Sequence, residues 1–208
     1  IFKDLLILTF DGIDAQFVMA LDKHSGKTVW RTDRSTDYGD LDEDGKPKRE
    51  GDLRKAYSTP SLVEVNGRTQ VVSVGSRAGF AYDALTGKEI WGIRHDDFNA
   101  AAPPSFYKNF AILNTGSRGA NLMAVELNET TKGDVTESHV KWNRDKANSR
   151  LAAPLLVENR IYMITDTGVA NCVDAETGDE VWKDRVGGTH VASPIFANGL
   201  IYFCSEEG

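Results

Sequence analysis

One short motif, found four times, most constrains how this chain can fold. In each well-kept copy an aspartate begins a turn, a Ser or Thr precedes a glycine, and a tryptophan closes the copy. The aspartates are Asp22, Asp83 and Asp174, the glycines are Gly26, Gly87 and Gly178, and the tryptophans are Trp30, Trp91 and Trp182. A fourth copy, with Glu126 in place of the aspartate and a lengthened middle, ends at Trp142. A lone hairpin with a core tryptophan explains one copy but not four, so the chain is built of repeats.

The motif predicts a β-hairpin that docks against its neighbour. The aspartate can accept hydrogen bonds from backbone N–H groups just ahead of it, and the glycine supplies the left-handed φ of a hairpin loop with a bulge. The closing tryptophan can cover a small residue of the next unit, such as Ala20, Ala81 or Cys172, and bury about 150–250 Å². We therefore expect the aspartates, glycines and tryptophans of the motif to be structural docking residues.

The spacing of the tryptophans predicts a β-propeller. They are 61, 51 and 40 residues apart (91 − 30, 142 − 91 and 182 − 142), and the shortest spacing fits one four-stranded blade of about 40–50 residues. Strand-like runs joined by turns such as Asn66-Gly67 and Asn198-Gly199 fill the intervals. No segment has a convincing helical period, so the expected fold is all-β, with antiparallel blades whose strands we label A to D from the axis outward.

The repeats predict the division of the chain. We expect a partial blade over 1–34 with strands B, C and D, full blades over 57–98, 100–146 and 151–187, and a partial blade over 190–208 with strands A and B. Residues 35–56 form an insertion between blades, and 128–139 form a second one in a C–D turn, interpreted as decoration. Either the two ends complete one blade, or the chain is part of a larger ring. We expect the second, a piece of a ring of seven or eight blades.

Composition narrows the class of partner. The formal net charge of −7 argues against a nucleic-acid or anionic membrane surface, and no run of eighteen apolar residues could span a membrane. The chain begins at Ile1 without a signal sequence, so we expect a mature or trimmed product. Cys172 and Cys204 lack metal-site spacing; two buried free thiols are expected, with a disulfide between them as the alternative.

The repeated Ala-x-Asp-x-x-Thr/Ser-Gly-x-x-x-Trp pattern resembles the tryptophan-docking motif of the PQQ-like (pyrroloquinoline quinone) repeat β-propellers. That family includes quinoprotein alcohol dehydrogenases and the propeller lipoprotein of outer-membrane protein assembly. The Asp-Gly-rich insertion, Gly133-Asp134-Val135-Thr136 and Ala192-Ser193-Pro194 look most like its exported members without assigned activity, some of them associated with serine/threonine kinases. The resemblance implies a periplasmic or otherwise exported protein. The adjacent Cys-Cys pair of the quinoprotein dehydrogenases is missing.

An acidic run in the first insertion is a candidate calcium site. Asp40, Asp42 and Asp44 alternate before Gly45, as in loops that place oxygen ligands around one Ca²⁺ ion. In such a loop the twelfth residue is a Glu that binds the ion through both carboxylate oxygens. Counted from Asp40, the twelfth residue here is Gly51, so Glu50 would have to act as that ligand from one position earlier. The alternative is a solvated acidic loop with sharp turns.

The B–C turns and D–A connections share one face of a propeller, here called the loop face. It would carry a set of cationic and imidazole side chains: Arg77, His95, Arg118, Arg150 and His190. Their convergence could bind an anionic or sugar-like ligand through forked guanidinium hydrogen bonds. The alternative is that they are separate, solvated loop residues.

No catalytic set stands out, so the leading hypothesis is a non-catalytic, exported binding or scaffold propeller. Its ligand would be a protein partner or a small anionic or sugar-like molecule on the loop face. We expect no cofactor, with calcium and PQQ as alternatives. Two other functions stay open: part of a PQQ-dependent dehydrogenase, which is the enzyme class expected if the protein is an enzyme, and an extracytoplasmic sensor domain associated with a protein kinase.

Overall fold

The fold is a succession of antiparallel sheets that follow one another along the chain. The computed structural model describes residues 1–116, 121–146 and 148–208. Sheet I has three strands: β1 (Leu5–Asp11), β2 (Gln16–Asp22) and β3 (Thr28–Asp33). Sheet II has four antiparallel strands in chain order: β4 (Ser61–Val65), β5 (Arg68–Val74), β6 (Ala78–Asp83) and β7 (Glu89–Arg94).

Two further four-stranded sheets and a hairpin complete the described chain. Sheet III contains β8 (Ser105–Tyr107), β9 (Phe110–Asn114), β10 (Leu122–Glu126) and β12 (Val140–Arg144). Sheet IV contains β13 (Leu155–Val157), β14 (Arg160–Ile164), β15 (Val169–Asp174) and β16 (Glu180–Arg185). Sheet V pairs β17 (Ile195–Ala197) with β18 (Leu200–Tyr202). The prediction of an all-β chain with four-stranded antiparallel units is confirmed.

The hairpin turns of the motif have the predicted chemistry. Oδ1 of Asp83 accepts the N–H groups of Leu85 and Thr86 at 3.1 and 2.9 Å, and Gly87 has a φ of +71°. A register shift between Ala81 and Tyr82 marks the bulge. Asp22 makes the same turn, and the hydroxyl of Ser25, which donates to its carboxylate, lowers the pKa of Asp22.

The apolar core lies in layers between successive sheets. Val18 and Trp30 of sheet I pack with Val71 and Phe80 of sheet II in one cluster. A second cluster joins sheets II and III and includes Val72, Leu113 and Val125. A third cluster joins sheets III and IV and includes Ile112, Met163 and Val173. Sheets I to IV are therefore packed against one another in sequence, and burial of this apolar area is the main stabilising term.

Two of the tryptophans lie directly over a glycine turn of the next sheet. A β-carbon added to Gly87 would lie 2.4 Å from Cε3 of Trp30, and one added to Gly178 would lie 2.7 Å from Cδ2 of Trp142. By contrast, a β-carbon at Gly26 meets no described atom within 4 Å, and Trp182 is 41% exposed. The ring-over-turn contact thus joins sheet I to sheet II and sheet III to sheet IV.

The insertion over 128–139 is more than decoration, which corrects the expectation from sequence. Its strand β11 (Gly133–Asp134) pairs in parallel with β7, with Gly133 opposite Trp91, and adds a fifth strand to sheet II. Val135 is buried in the same cluster as Trp91. The insertion therefore covers Trp91, which is fully buried, whereas glycine turns cover Trp30 and Trp142.

The remaining elements are short. A 3-10 segment (Lys48–Arg54) lies in the first insertion, and a four-residue helix α1 (Thr136–His139) follows β11. Both cysteines are free, Cys172 buried and Cys204 exposed, so the disulfide alternative is wrong and a buried thiol is correct only for Cys172. Within the described ranges, no helix has the length and apolar character needed to cross a membrane.

Candidate functional site

Backbone contacts bring two of the predicted ligand residues together on the loop face. The N–H of His95 donates to the carbonyl of Arg77 at 3.1 Å, and the N–H of Arg77 donates to the carbonyl of Asp97 at 2.9 Å. Both ring nitrogens of His95 are buried. Burial lowers the pKa of His95 to about 4, so the imidazole is neutral at pH 7 and cannot offer a positive charge to an anionic ligand.

Two other predicted ligands hold neighbouring loops in place. Arg150 donates from Nε to Oδ2 of Asp166 at 2.7 Å, which ties a D–A connection to the next B–C turn. The ring nitrogens of His190 lie 3.1 Å from the carbonyl of Cys204 and 2.9 Å from the carbonyl of Gly187. These side chains contact protein groups instead of converging on a shared ligand. The fifth predicted ligand, Arg118, lies outside the described residues.

The acidic run of the first insertion is used in local structure. The guanidinium of Arg54 donates to both carboxylate oxygens of Asp40 and lowers the pKa of Asp40. Oδ1 of Asp42 accepts the N–H groups of Asp44 and Lys46 at 3.0 and 2.8 Å, which closes a tight turn. Across the described ranges, no group of three or more His, Cys, Asp or Glu side chains is placed to hold a metal ion. The structure thus does not gather Asp40, Asp42, Asp44 and Glu50 into a calcium site.

A buried ion pair at the end of sheet I faces sheet II, and the sequence analysis missed it. Nη2 of Arg34 lies 2.8 Å from Oδ2 of Asp11, with the two side chains 1% and 2% exposed. The same guanidinium donates to Ser73 and Tyr82 of sheet II. Burial opposes the charged guanidinium, but the neighbouring oxygens more than compensate and raise the pKa of Arg34. Its residues are 23 positions apart and share no local motif, so no sequence signal identified the pair.

A cleft between sheet II and the connection that leaves sheet I is the candidate binding site, here called the Arg77 cleft. Its cavity has a volume of about 200 Å³. Ala78, Phe80 and Ile93 supply an apolar, buried lining, while Arg77 and Arg94 lie at the end nearest the loop face. The sequence pointed to Arg77 alone. Arg94 and its partner Asp134 were missed because the pairing of β11 with β7 is long-range.

Arg77 differs from the other arginines of the loop face. Its positive charge contributes to lowering the pKa of Asp40, but in the described ranges it forms no ion pair, whereas the guanidinium groups of Arg34, Arg54 and Arg150 bind Asp11, Asp40 and Asp166 respectively. The side chain is half-buried and lines the cleft. A half-buried guanidinium beside an apolar surface can form strong, forked hydrogen bonds with a carboxylate that comes from outside.

Two solved structures are similar to this chain, and the second of them supports the fold. BamB from Moraxella catarrhalis matches with 15% identity and a TM-score of 0.49, covering 99% of this chain and 65% of that one. Quinohemoprotein alcohol dehydrogenase from Comamonas testosteroni matches with 14% identity and a TM-score of 0.56, covering 88% of this chain and 37% of that one. This chain thus spans less than two thirds of either protein. No curated protein matches the sequence.

The dehydrogenase similarity raises the question of a quinone cofactor with calcium. A hard cation such as Ca²⁺ requires several oxygen ligands around one point. Asp11, Asp40 and Asp166 are instead each paired with an arginine, and no group of side chains placed to hold a metal ion is found in the described ranges. The described residues therefore do not gather the oxygen ligands that calcium-held PQQ would need.

The sequence itself identifies the family. A model of the family described as outer membrane protein assembly factor BamB matches residues 14–157 and 136–208, which together include nearly the whole chain. The repeated turns, the layered four-stranded sheets and the fold shared with the quinohemoprotein agree with that match. The resemblance to PQQ-like repeats and the propeller fold predicted from the sequence are both confirmed. The chain belongs to the BamB family of PQQ-like repeat β-propellers.

Proposed function

We propose that this chain is a non-catalytic scaffold, exported from the cytoplasm, that binds a protein partner on its loop face. The observation that carries the proposal is the Arg77 cleft, where a half-buried guanidinium that forms no ion pair in the described ranges adjoins a cavity lined by polar and apolar side chains. Loops on a rigid β scaffold are common places for binding sites. The family takes its description from an outer membrane protein assembly factor, which fits a role in binding other proteins.

The electrostatics of the loop face support binding over catalysis. Three other loop-face arginines neutralise carboxylates and fix loops: Arg54 pairs with Asp40 inside the first insertion, Arg34 with Asp11 at the end of sheet I, and Arg150 with Asp166 of the next blade. His95 is neutral and buried, with its ring nitrogens out of reach of a substrate. Such an arrangement stabilises loops in fixed positions, which suits a preorganised surface for a partner.

Affinity capture with matched variants tests this proposal. The immobilised protein, Arg77→Gln and Arg150→Gln are incubated with an envelope extract of the native host, and bound proteins are quantified. We expect a specific partner with the wild-type protein, at least tenfold less of it with Arg77→Gln, and no loss with Arg150→Gln, because Arg150 is engaged with Asp166. Equal capture by both variants would contradict a role for the cleft.

A second measurement addresses the non-catalytic part of the proposal. The protein is incubated with PQQ and Ca²⁺, and dye-linked oxidation of alcohols and sugars is followed. We expect no turnover above the protein-free control, since the described carboxylates form no metal-holding group. Turnover that depends on PQQ would show that the chain contributes to a dehydrogenase instead.

A further inference from the structure

The connection between β10 and β11 contains the one asparagine of the chain that is followed, two positions later, by Ser or Thr. The sequence there is Asn128-Glu129-Thr130, and none of the other asparagines has this spacing. Asn-x-Ser/Thr, with any residue but proline in the middle, is the acceptor signal for N-linked glycans in surface loops of exported proteins. The same three residues also arise by chance, so the geometry of their side chains decides whether the signal is usable.

The carboxamide of Asn128 is arranged for reaction at its nitrogen. Its Oδ1 accepts the N–H of Thr130 at 2.8 Å and the hydroxyl of Thr130 at 2.7 Å. Its Nδ2 donates no hydrogen bond within the described ranges and is not enclosed by protein. A carboxamide nitrogen is a poor nucleophile because its lone pair is delocalised onto the oxygen. Two hydrogen bonds to that oxygen stabilise the negative charge that develops there when Nδ2 loses a proton, and so they make the nitrogen more reactive.

The hydroxyl of Thr130 is held in this orientation from its other side. Nε2 of His139, a buried side chain, lies 3.1 Å from Oγ1 of Thr130, and Nδ1 of His139 lies 2.8 Å from the hydroxyl of Ser138. The hydroxyl of Ser138 can donate only to Nδ1, which leaves Nε2 to donate to Thr130; this placement of the protons follows from the hydrogen-bond network. The hydroxyl of Thr130 then accepts from His139, and its own proton is directed at Asn128.

The turn is at the surface, while its base is anchored in the protein. Glu129 and Thr130 are exposed and Asn128 is half-buried. The N–H of Asn128 donates to the hydroxyl of the buried Thr131 at 2.8 Å, and the preceding Leu127 is buried as well. The anchored backbone holds the acceptor side chain where an enzyme can reach it from solvent. Asn128 follows the end of β10 that lies away from the loop face, so a glycan there leaves the loop face free for a partner.

We propose that Asn128 is the acceptor of an N-linked glycan. In the transfer, Nδ2 attacks the anomeric carbon of an oligosaccharide that is carried on a lipid pyrophosphate. The new C–N bond forms as the bond from the anomeric carbon to the phosphate oxygen breaks. Nδ2 gives one proton to a base of the transferring enzyme, and the lipid pyrophosphate leaves with the bonding electron pair. This modification is separate from partner binding and shares with the proposed function only the export of the chain.

Mass spectrometry of the protein from its native host tests the assignment directly. The whole protein is isolated from the envelope fraction and cleaved with trypsin, which releases residues 119–132 as one peptide. We expect this peptide to carry the mass of an attached oligosaccharide, with fragment ions that place it on Asn128 and not on Asn121. Recovery of this peptide from the envelope fraction in its unmodified form alone would overturn the proposal.

Transfer in vitro separates a failed acceptor from a failed export. The purified, folded protein is incubated with an oligosaccharyltransferase and its lipid-linked oligosaccharide, and the product is followed as a shift in electrophoretic mobility. We expect the folded protein to be modified, because the acceptor turn is exposed and already ordered. If it is modified in vitro but is absent from the envelope of the native host, the acceptor is supported and the export in the proposed function fails. A folded protein that stays unmodified in vitro would overturn the acceptor.

Matched variants separate the acceptor chemistry from the structure of the turn. Asn128→Asp keeps an oxygen that accepts both hydrogen bonds from Thr130 but removes the nitrogen, so we expect an unchanged melting temperature and no glycan. Thr130→Val keeps the shape of the side chain without the hydroxyl and should lose the glycan, whereas Thr130→Ser keeps the hydroxyl and should retain it. A glycan that persists in Asn128→Asp or in Thr130→Val, in either assay, would show that Asn128 is not the acceptor.

Discussion

Substituting alanine at two equivalent glycines measures the contact between blades. Gly87 and Gly26 occupy the same position of the motif and have φ values of +71° and +69°, so an added β-carbon strains both turns equally, by about 1–2 kcal/mol. At Gly87 alone the added carbon would lie 2.4 Å from the ring of Trp30 and 3.0 Å from Oγ1 of Thr32, which donates to the Gly87 carbonyl. Such overpacking costs about 1–3 kcal/mol more.

The difference between the two variants is therefore the measured quantity. Gly87→Ala should lose about 1–3 kcal/mol more unfolding free energy than Gly26→Ala in urea titrations followed by tryptophan fluorescence. For a chain of this size the corresponding difference in melting temperature is roughly 2–12 °C. Gly178→Ala, whose β-carbon would lie 2.7 Å from the ring of Trp142, should behave like Gly87→Ala. Equal losses at Gly26 and Gly87 would refute the interpretation of Trp30 as a docking residue.

Three other perturbations have defined outcomes. Trp91→Ala should lower the free energy of unfolding by about 3–5 kcal/mol because Trp91 is fully buried. Trp182 is 41% exposed, so Trp182→Ala should lower it by less than half as much, and chemical denaturation of both variants measures the difference. Arg34→Met leaves Asp11 charged and buried, so it should cost about 3–5 kcal/mol, and adding Asp11→Leu should recover much of that loss in the same assay. The pKa of His95 in the folded state is about 4, below its value in the unfolded state. The stability that neutral His95 gives the folded protein is therefore fully present above about pH 6.5 and is lost as the pH falls toward 4. Between pH 7 and pH 5 this loss is about 2 kcal/mol, and His95→Gln should remove it from the pH profile of stability.

The sequence predicted the parts of the fold that depend on residues close together in the chain. The Asp83 turn closes within five residues, so its aspartate and Gly87 can be read directly from the motif. The tryptophan spacing then fixed the repeat and the all-β class. The pairing of Gly133 with Trp91 could not be predicted, since it joins an insertion to a strand about forty residues earlier and has no periodic pattern.

The candidate site was predicted only in part, because side-chain partners depend on tertiary structure. Arg77, Arg150 and His190 look alike in sequence, as charged or imidazole residues of loops on one face. In the structure Arg150 is bound to Asp166 and His190 to backbone carbonyls, while Arg77 lines an apolar cavity. The difference arises from which acidic residue or carbonyl lies within reach after the blades pack together.

Site-specific photocrosslinking tests the central claim, that the loop-face cleft is where this scaffold meets its partner. A benzoylphenylalanine is placed at Asp37, an exposed residue that lines the Arg77 cleft, and in a second protein at Asp179, an exposed residue of the C–D turn of sheet IV. After irradiation in an envelope extract, the account predicts a partner adduct from position 37 that is lost in Arg77→Gln, and none from position 179. Adducts of equal yield at both positions, or an adduct at position 37 unaffected by Arg77→Gln, would contradict the claim.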